Sequence, residues 1–561
     1  MAMSRRPGRR WKTAWQLLRS GDLPALSRRT LSFLGRLNDR TTTMDYADWR
    51  QRWVEIDDTA RDRIDKLVAA LPHRPTFTIL VPVDGANESL VAATVRSVTA
   101  QRYPDWVLRL TCDEPWDSAV VATVDDDRVQ FTESASVAPS DWVARLSPGD
   151  LLGEAALFAV ADVATSHSDT AVVYTDHDHV GPDGRLVDPH MKSDWNPDLL
   201  AGMNYFGILT VYRRDLWDIY AADSVDAHDL ALKVVTGLEA SQVVHIPHVL
   251  ATLQVSGDGT HLVPTTVRVT HPLPDPPPRV SVLIPTRDRG RMLERCLSTV
   301  RGNTDYPDVE IVVVDHESTE TRARKVLDGL TGEVNTRVIK FGGPFNFAAM
   351  INRAAEVATG EVLVLLNNDT EVIDNGWLTD LVAHVSRPEV GVVGALLVFG
   401  DGTIQHAGVH PGVGGLMGHG HKHRPGNDPG YFARLLVAHE VAAVTGACLA
   451  IEAATWRQLG GLDEESLAVA YNDIDLCLKA RQAGLRVIFT PHARLVHHES
   501  VSRGVDDDPT RRDRLEREAA IMRGRWGAAL DVDPAYNPNL SLDGEAFTPA
   551  VEPRVALQWQ H

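Results

Sequence analysis

Two stretches of the chain open with the same short apolar run: Phe77 to Pro82 reads FTILVP, and Val280 to Pro285 reads VSVLIP. Short apolar runs of this kind predict strands that open an α/β unit. A helix-length segment follows each, from about Glu88 to Ala100 in the first, and leads to a Tyr-Pro-Asp at Tyr103-Pro104-Asp105 and at Tyr306-Pro307-Asp308. A second strand comes next, Trp106 to Thr111 and Val309 to Val314. The same unit returning after about 200 residues predicts a tandem duplication of an α/β fold. Strand-like runs at Ala171 to Thr175 and His245 to Leu253 complete the first copy. The stretch His271 to Arg279, with five prolines from Pro272 to Pro278, predicts a stiff linker. The pattern divides the chain into a basic helical region and connector (1–74), a first copy (75–270), the linker (271–279), a second copy (280–530) and a C-terminal tail (531–561).

Composition narrows the class. With 561 residues, 43% apolar and 24% charged, the chain is long enough for two or three ordinary domains. The longest apolar runs, Val390 to Phe399 and Val441 to Ile451, are about half the ~20 residues of a spanning helix. No secretory signal is read at the N-terminus, so a cytoplasmic protein is expected. Cys112, Cys296, Cys448 and Cys477 are widely spaced and predict buried thiols. Net charge is −20, yet residues 1–40 carry ten Arg or Lys against two Asp, a local +8 that leaves −28 for the rest. An acidic body argues against a nucleic-acid partner. Alternation of Arg5 to Arg40 with Trp11, Trp15, Leu17, Leu18 and Phe33 predicts short basic amphipathic helices, suited to the anionic inner face of the plasma membrane.

Candidate chemistry collects in the second copy. The strand over Glu310 to Val314 ends in Asp315, and the strand over Leu363 to Leu366 ends in Asn367-Asn368-Asp369. In a doubly wound sheet, polar groups beyond the carboxyl ends of strands share one crevice. Further along stand Gly402 to Gly408 (GTIQHAG), Val444 to Cys448 (VTGAC), Asn472 to Leu478 (NDIDLCL) and His497 to Gly504 (HHESVSRG).

As an ordered set, these motifs resemble the nucleotide-sugar-dependent glycosyltransferases of family 2, which have the GT-A fold. The resemblance covers about residues 279–504 and is strongest to the bacterial surface-polysaccharide, rhamnosyltransferase-like branch. It implies two tandem GT-A domains, Rossmann-like and doubly wound, behind an N-terminal helical basic segment, the first domain degenerate and the second catalytic. It also implies an inverting transfer from a nucleotide-sugar donor to a glycan or lipid-linked oligosaccharide acceptor. Asp369 and His497, with His498 as substitute, would hold Mg²⁺ or Mn²⁺, which neutralises the leaving diphosphate. Thr286, Arg287, Asp315, Asn367, Asn368 and Arg503 would contact the donor, Arg503 at the diphosphate. His316 departs from the family pattern beside Asp315. Asp473 would be the base, in the first turn of a helix from Tyr471 to Ala483, while Gly446, Asn472 and Asp475 would serve the acceptor or its scaffold. Asp475, about 200° further round that helix, would not share the base's role.

The Gly- and His-rich stretch Gly412 to Gly430, with His419, His421 and His423, is expected to be a mobile acceptor-binding loop. In the first copy, Leu146 to Asp150 (LSPGD) is expected to retain only Asp150 of the metal motif, and Asp226 to Leu230 matches the base motif. Two alternatives remain at this stage: a glycan-binding scaffold without activity, and a bifunctional transferase with both copies active.

Overall fold

The computed structural model of the protein describes residues 44–112, 125–132, 137–254, 264–498, 509–543, 545–555 and 559. The basic arm and Arg503 lie outside the described residues. The connector forms two helices, Tyr46–Trp53 and Asp58–Ala70. Asp57 caps the second by accepting a hydrogen bond from Ala60 N–H, and its apolar stripe Ala60, Ile64 and Val68 is buried. No described helix is long and apolar enough to cross a membrane.

The first sheet contains β1 (Phe77–Pro82), β2 (Trp106–Thr111), β3 (Val129–Thr132), β4 (Trp142–Arg145), β5 (Leu151–Leu152), β6 (Val172–Val180), β7 (Leu186–His190), β8 (Thr210–Arg213) and β9 (Val243–Gln254). The second contains β10 (Val280–Thr286), β11 (Val309–His316), β12 (Thr336–Phe341), β13 (Val362–Leu366), β14 (Thr370–Val372), β15 (Val390–Val398) and β16 (Ile404–His406). A separate hairpin, β17 (Val409–Pro411) and β18 (Met417–His419), precedes the last strands of that sheet, β19 (His439–Glu440), β20 (Cys448–Glu452) and β21 (Arg486–His497). The first sheet runs β3-β2-β1-β4-β8-β6-β9-β5, and the second β12-β11-β10-β13-β20-β15-β21-β14. Strand for strand, the two orders are the same. Directions agree too: β8 and β20 are each antiparallel to both neighbours, while β9 and β21 return parallel to β6 and β15. The duplication is therefore one of fold. All seven residues of β10 are buried, as expected for a central strand covered on both faces.

The copies differ between their third and fourth strands. Twenty residues join β12 to β13 and include the helix Phe347–Val357, whereas nine join β3 to β4. Asn346 caps that helix and also donates to Glu464 O (2.8 Å), and Asn352 exchanges hydrogen bonds with Leu462. The helix thus braces the segment leading to the helix Asn472–Gln482.

The C-terminal residues are a strap across both copies. Asn537 Nδ2 donates to Asp176 Oδ2 (2.9 Å), Asn539 Nδ2 to Pro247 O (2.6 Å), and Trp49 Nε1 to Ala550 O (2.7 Å). On the other side, Asp533 holds His410 (2.8 Å) and Phe547 stacks on His421. The expectation of a mobile loop over Gly412 to Gly430 is corrected here. The stretch contains β18, Gly414 N–H donates to Leu542 O (2.9 Å), and Leu542 packs against Gly412. Nor do its histidines converge: His419 faces His406, His421 accepts from Tyr431 N–H, and His423 stacks on Phe399.

Candidate active site

The ends of β10, β11 and β13 bring the predicted donor residues together. Thr286 pairs with Asp315 in the parallel ladder, and Asn368 Nδ2 donates to Thr286 Oγ1 at 2.7 Å. Asp315 Oδ1 accepts from Ser318 N–H (3.0 Å), which fixes the carboxylate at the strand end. Arg287 is exposed beside this group. His316 is buried, with Nε2 on Gly343 O (2.8 Å), so its ring supports the following turn.

Asp369 leads into β14, and β14 pairs with the end of β21, where Thr370 faces His497. This ladder sets His497 Nε2 3.1 Å from Asp369 Oδ1. Behind the ring, Nδ1 stands 2.7 Å from Gln405 Oε1, an acceptor, so Nδ1 carries a proton, and in the neutral ring Nε2 presents a lone pair. An imidazole nitrogen and a carboxylate oxygen at this range can share a proton or ligate one cation. Ligands about 2.1 Å from one octahedral ion and at right angles stand ~3.0 Å apart, so the pair fits Mg²⁺ or Mn²⁺. Asn367 Nδ2 lies 3.3 Å from the same Nε2. His498 pairs with Glu371, which Arg295 also holds at 2.6 Å; this directs His498 away from Asp369. Burial pushes the Cys296 thiol, beside Thr370, up to about 12, so it is no competing thiolate.

Asp473 occupies the first turn of the helix Asn472–Gln482, where the dipole favours a carboxylate. Its Oδ2 accepts from Gly446 N–H (2.8 Å) and its Oδ1 from Ile474 N–H (2.9 Å). Gly446 has no room to spare, since an added Cβ would meet the Asp473 Cβ at 3.3 Å. The next residue, Ala447, accepts from Asn367 N–H through its carbonyl (3.1 Å). Adjacent residues thereby tie the candidate base to the strand end bearing the candidate metal ligands. Asp475 and Asn472 are buried instead: Asp475 receives Arg525 (2.7 Å) and Trp526 Nε1 (2.9 Å), and Asn472 donates to Leu467 O. Both brace the helix, and neither offers an acceptor-facing group.

The first copy arranges the same positions differently. Phe77 pairs with Trp142 as Val280 pairs with Val362, which makes Leu146 equivalent to Leu366 and Gly149 to Asp369. Leu152 pairs with Ala251 as Val372 pairs with Leu495, which makes Leu253 equivalent to His497. Pairing of Asp178 with Thr252, and of Val398 with Val496, gives the same register from the other side. The expectation that Asp150 retains the metal acid is thus corrected: it lies one residue further on, matching Thr370. Asp150 is 3% exposed, accepts from Ser147 N–H (2.7 Å), and is pushed up to about 6 by burial. Asp226 caps the helix Ala227–Val235, and Asp229 pairs with Lys233. Tyr174 to Asp178 is buried structure, Asp178 accepting from Tyr46, Arg50 and Thr252.

Among the described residues, one other cluster has metal-like spacing. Asp198, His271 and His384 place ligand atoms within 4.8 Å of one another. Asp198, however, already receives Arg387 (2.7 Å) and Arg486. Burial pushes the Asp198 carboxyl up, and the Arg486 and Arg387 guanidiniums overcome this and hold it below the usual range. Two guanidiniums disfavour a dication there, and the group joins the first copy to the second.

Residues 281–435 match the family described as Glycosyl transferase family 2, and residues 362–516 match Glycosyl transferase family group 2. Similar proteins include the uncharacterized protein y4gI of Sinorhizobium fredii, 36% identical over 552 residues, covering 88% of this chain and 61% of that protein. O-antigen biosynthesis protein RfbC of Myxococcus xanthus is 31% identical over 549 residues, covering 87% of this chain and 42% of that protein. An N-acetylglucosaminyl-diphospho-decaprenol L-rhamnosyltransferase of Mycobacterium tuberculosis is 24% identical over 244 residues, covering 40% of this chain and 78% of that protein. The chain therefore spans 61% and 42% of the length of the first two. Both matched segments lie within the second copy, and the second of them holds Asp369, Asp473 and His497.

Proposed function

We propose that the chain transfers a sugar, with inversion, from a nucleotide-diphosphate donor to a hydroxyl of a lipid-linked glycan, using the single site of its second copy. The observation that carries this reading is the facing of Asp369 Oδ1 and His497 Nε2 at 3.1 Å, with Asp473 tied to the same strand end through Gly446 and Ala447. Asp369 and His497 would hold Mg²⁺ or Mn²⁺, which when bound neutralises charge on the leaving diphosphate. Thr286, Arg287, Asp315, Asn367, Asn368 and Arg503 are assigned to the donor. Asp473 takes the proton of the acceptor hydroxyl as its oxygen attacks the anomeric carbon and the phosphate oxygen departs from the opposite face. Two backbone N–H groups keep that carboxylate oriented while leaving acceptor capacity for the incoming hydroxyl.

A lipid-linked acceptor is supported by the name of the mycobacterial relative, whose substrate is a diphospho-decaprenol. The basic arm supports work at the inner face of the membrane, each Lys or Arg there contributing ~1 kcal/mol of attraction. Removal of residues 1–40 is expected to lower co-sedimentation with anionic liposomes, and equal sedimentation of both forms would refute the membrane assignment. The activity itself is tested by screening nucleotide sugars for release of nucleotide diphosphate. Release should require Mg²⁺ or Mn²⁺ and be lost in Asp369→Ala, whereas metal-independent release, or full release by that variant, would contradict the site.

A further inference from the structure

The short strand β16, Ile404–His406, contributes none of the groups assigned above to donor, metal or acceptor. It nevertheless pairs with the end of β15, and Gln405 on it is 3% exposed. A primary amide buried to that degree needs partners for both its ends. Each end has a contact with His497. Gln405 Oε1 lies 2.7 Å from His497 Nδ1, and Gln405 Nε2 donates to the His497 carbonyl oxygen at 3.5 Å.

The consequence for His497 is chemical. An amide oxygen accepts and does not donate, so the ring carries a proton on Nδ1, and in its neutral form the Nε2 lone pair is directed at Asp369. Without this partner the ring could take the other tautomer, with Nε2–H donated to Asp369 Oδ1 3.1 Å away. That internal hydrogen bond would satisfy both groups and remove both from service as ligands. We propose that Gln405 is a positioning residue for the divalent cation: it holds the neutral His497 ring in the tautomer that can ligate and disfavours the one that would donate Nε2–H to Asp369. The inference rests on the assignment of Asp369 and His497 as ligands.

His406, the next residue, separates this role from general support of the strand. Its side chain turns to Thr445 N–H (3.4 Å) and His419 (2.9 Å), beside the segment that holds Asp473, and makes no contact of this kind with His497. Loss of an outer-shell partner to a ligating histidine costs about 10–100-fold in metal affinity.

The test is a titration of the full-length protein with Mn²⁺ alone, followed by electron paramagnetic resonance of the free ion, on wild type, Gln405→Leu, Gln405→Glu, His406→Asn and His497→Ala. The proposal expects Gln405→Leu to weaken Mn²⁺ binding by about 10–100-fold. Gln405→Glu, which keeps an acceptor oxygen on Nδ1, should bind Mn²⁺ more tightly than Gln405→Leu, and His406→Asn should remain within a few-fold of wild type. Circular dichroism establishes that each variant is folded; if Gln405→Leu is not, the same comparison is made with Gln405→Met. Wild-type affinity in a folded Leu or Met variant, together with loss of binding in His497→Ala, would overturn the role of Gln405 while leaving the metal site in place. Unchanged binding in His497→Ala, or no binding by the wild type, would overturn both.

Discussion

The two copies share strand order, strand direction and register, yet only the second sets Asp369 and His497, a carboxylate and an imidazole, face to face at its strand ends. At the positions of Asp369 and His497 the first copy has Gly149 and Leu253. The first difference is not easily reversed. Gly149 has φ of +102°, a conformation side chains rarely adopt, and a Cβ there would come within 3.0 Å of the Gln254 Cβ. Where Gly446 offers its N–H to Asp473, the equivalent Gly207 is packed against the His177 ring and the Lys192 ammonium group. Burial pushes that ammonium down to about 7. The fold supplies a crevice at the strand ends, but chemistry depends on a few positions where side chains point into it. In the first copy those positions serve packing, and its other polar groups hold the N-terminal helix and the C-terminal strap.

The largest effect that would break this comparison falls on Asp473. Asp473→Asn should lower turnover by about 10²–10⁴ while leaving donor affinity within a few-fold, because the base acts on the acceptor. Steady-state rates with saturating donor and acceptor, paired with calorimetric donor binding, check both halves. Near-normal turnover would remove the base from Asp473 and reopen the first copy as a source of activity.

A smaller effect sharpens the contrast from the other side. Asp150 is raised to about 6 in the folded protein from about 3.8, by burial first, opposed by the Ser147 N–H bond. The protonated form's stabilising advantage is complete below pH ~4 and is lost as pH rises through about 6, where the charged carboxylate bears the full cost of burial. Two units correspond to about 3 kcal/mol. Thermal unfolding of the wild type should therefore fall from pH 4 to 6 relative to Asp150→Asn, which keeps an acceptor for Ser147 N–H without a charge. Transfer by Asp150→Asn should be unchanged. A loss of transfer with no change in the pH profile would mean that Asp150 acts in catalysis.

Much of this was legible before the structure. FTILVP and VSVLIP announced the duplication because buried parallel strands are written in consecutive residues, and the spacing of Asp473 and Asp475 already put them on different sides of a helix. Register was not legible. Asp150 looks like the surviving acid in LSPGD, and only the cross-strand pairs show it one residue out of place. Gln405 stood within a quoted motif without a role, because its partner lies 92 residues away on β21. The glycines of Gly412 to Gly430 suggested looseness, but their packing is set by Leu542 and Phe547 in the strap, more than a hundred residues further on.

The central claim, one metal-dependent site on two similar sheets, is most directly tested by diffraction from crystals of the full chain grown with MnCl₂, measured at the manganese absorption edge. An anomalous peak between Asp369 Oδ1 and His497 Nε2, with none at Gly149 and Leu253, is the predicted result. A peak in the first copy's crevice, or crystals with full Mn²⁺ occupancy elsewhere and none at Asp369 and His497, would contradict it.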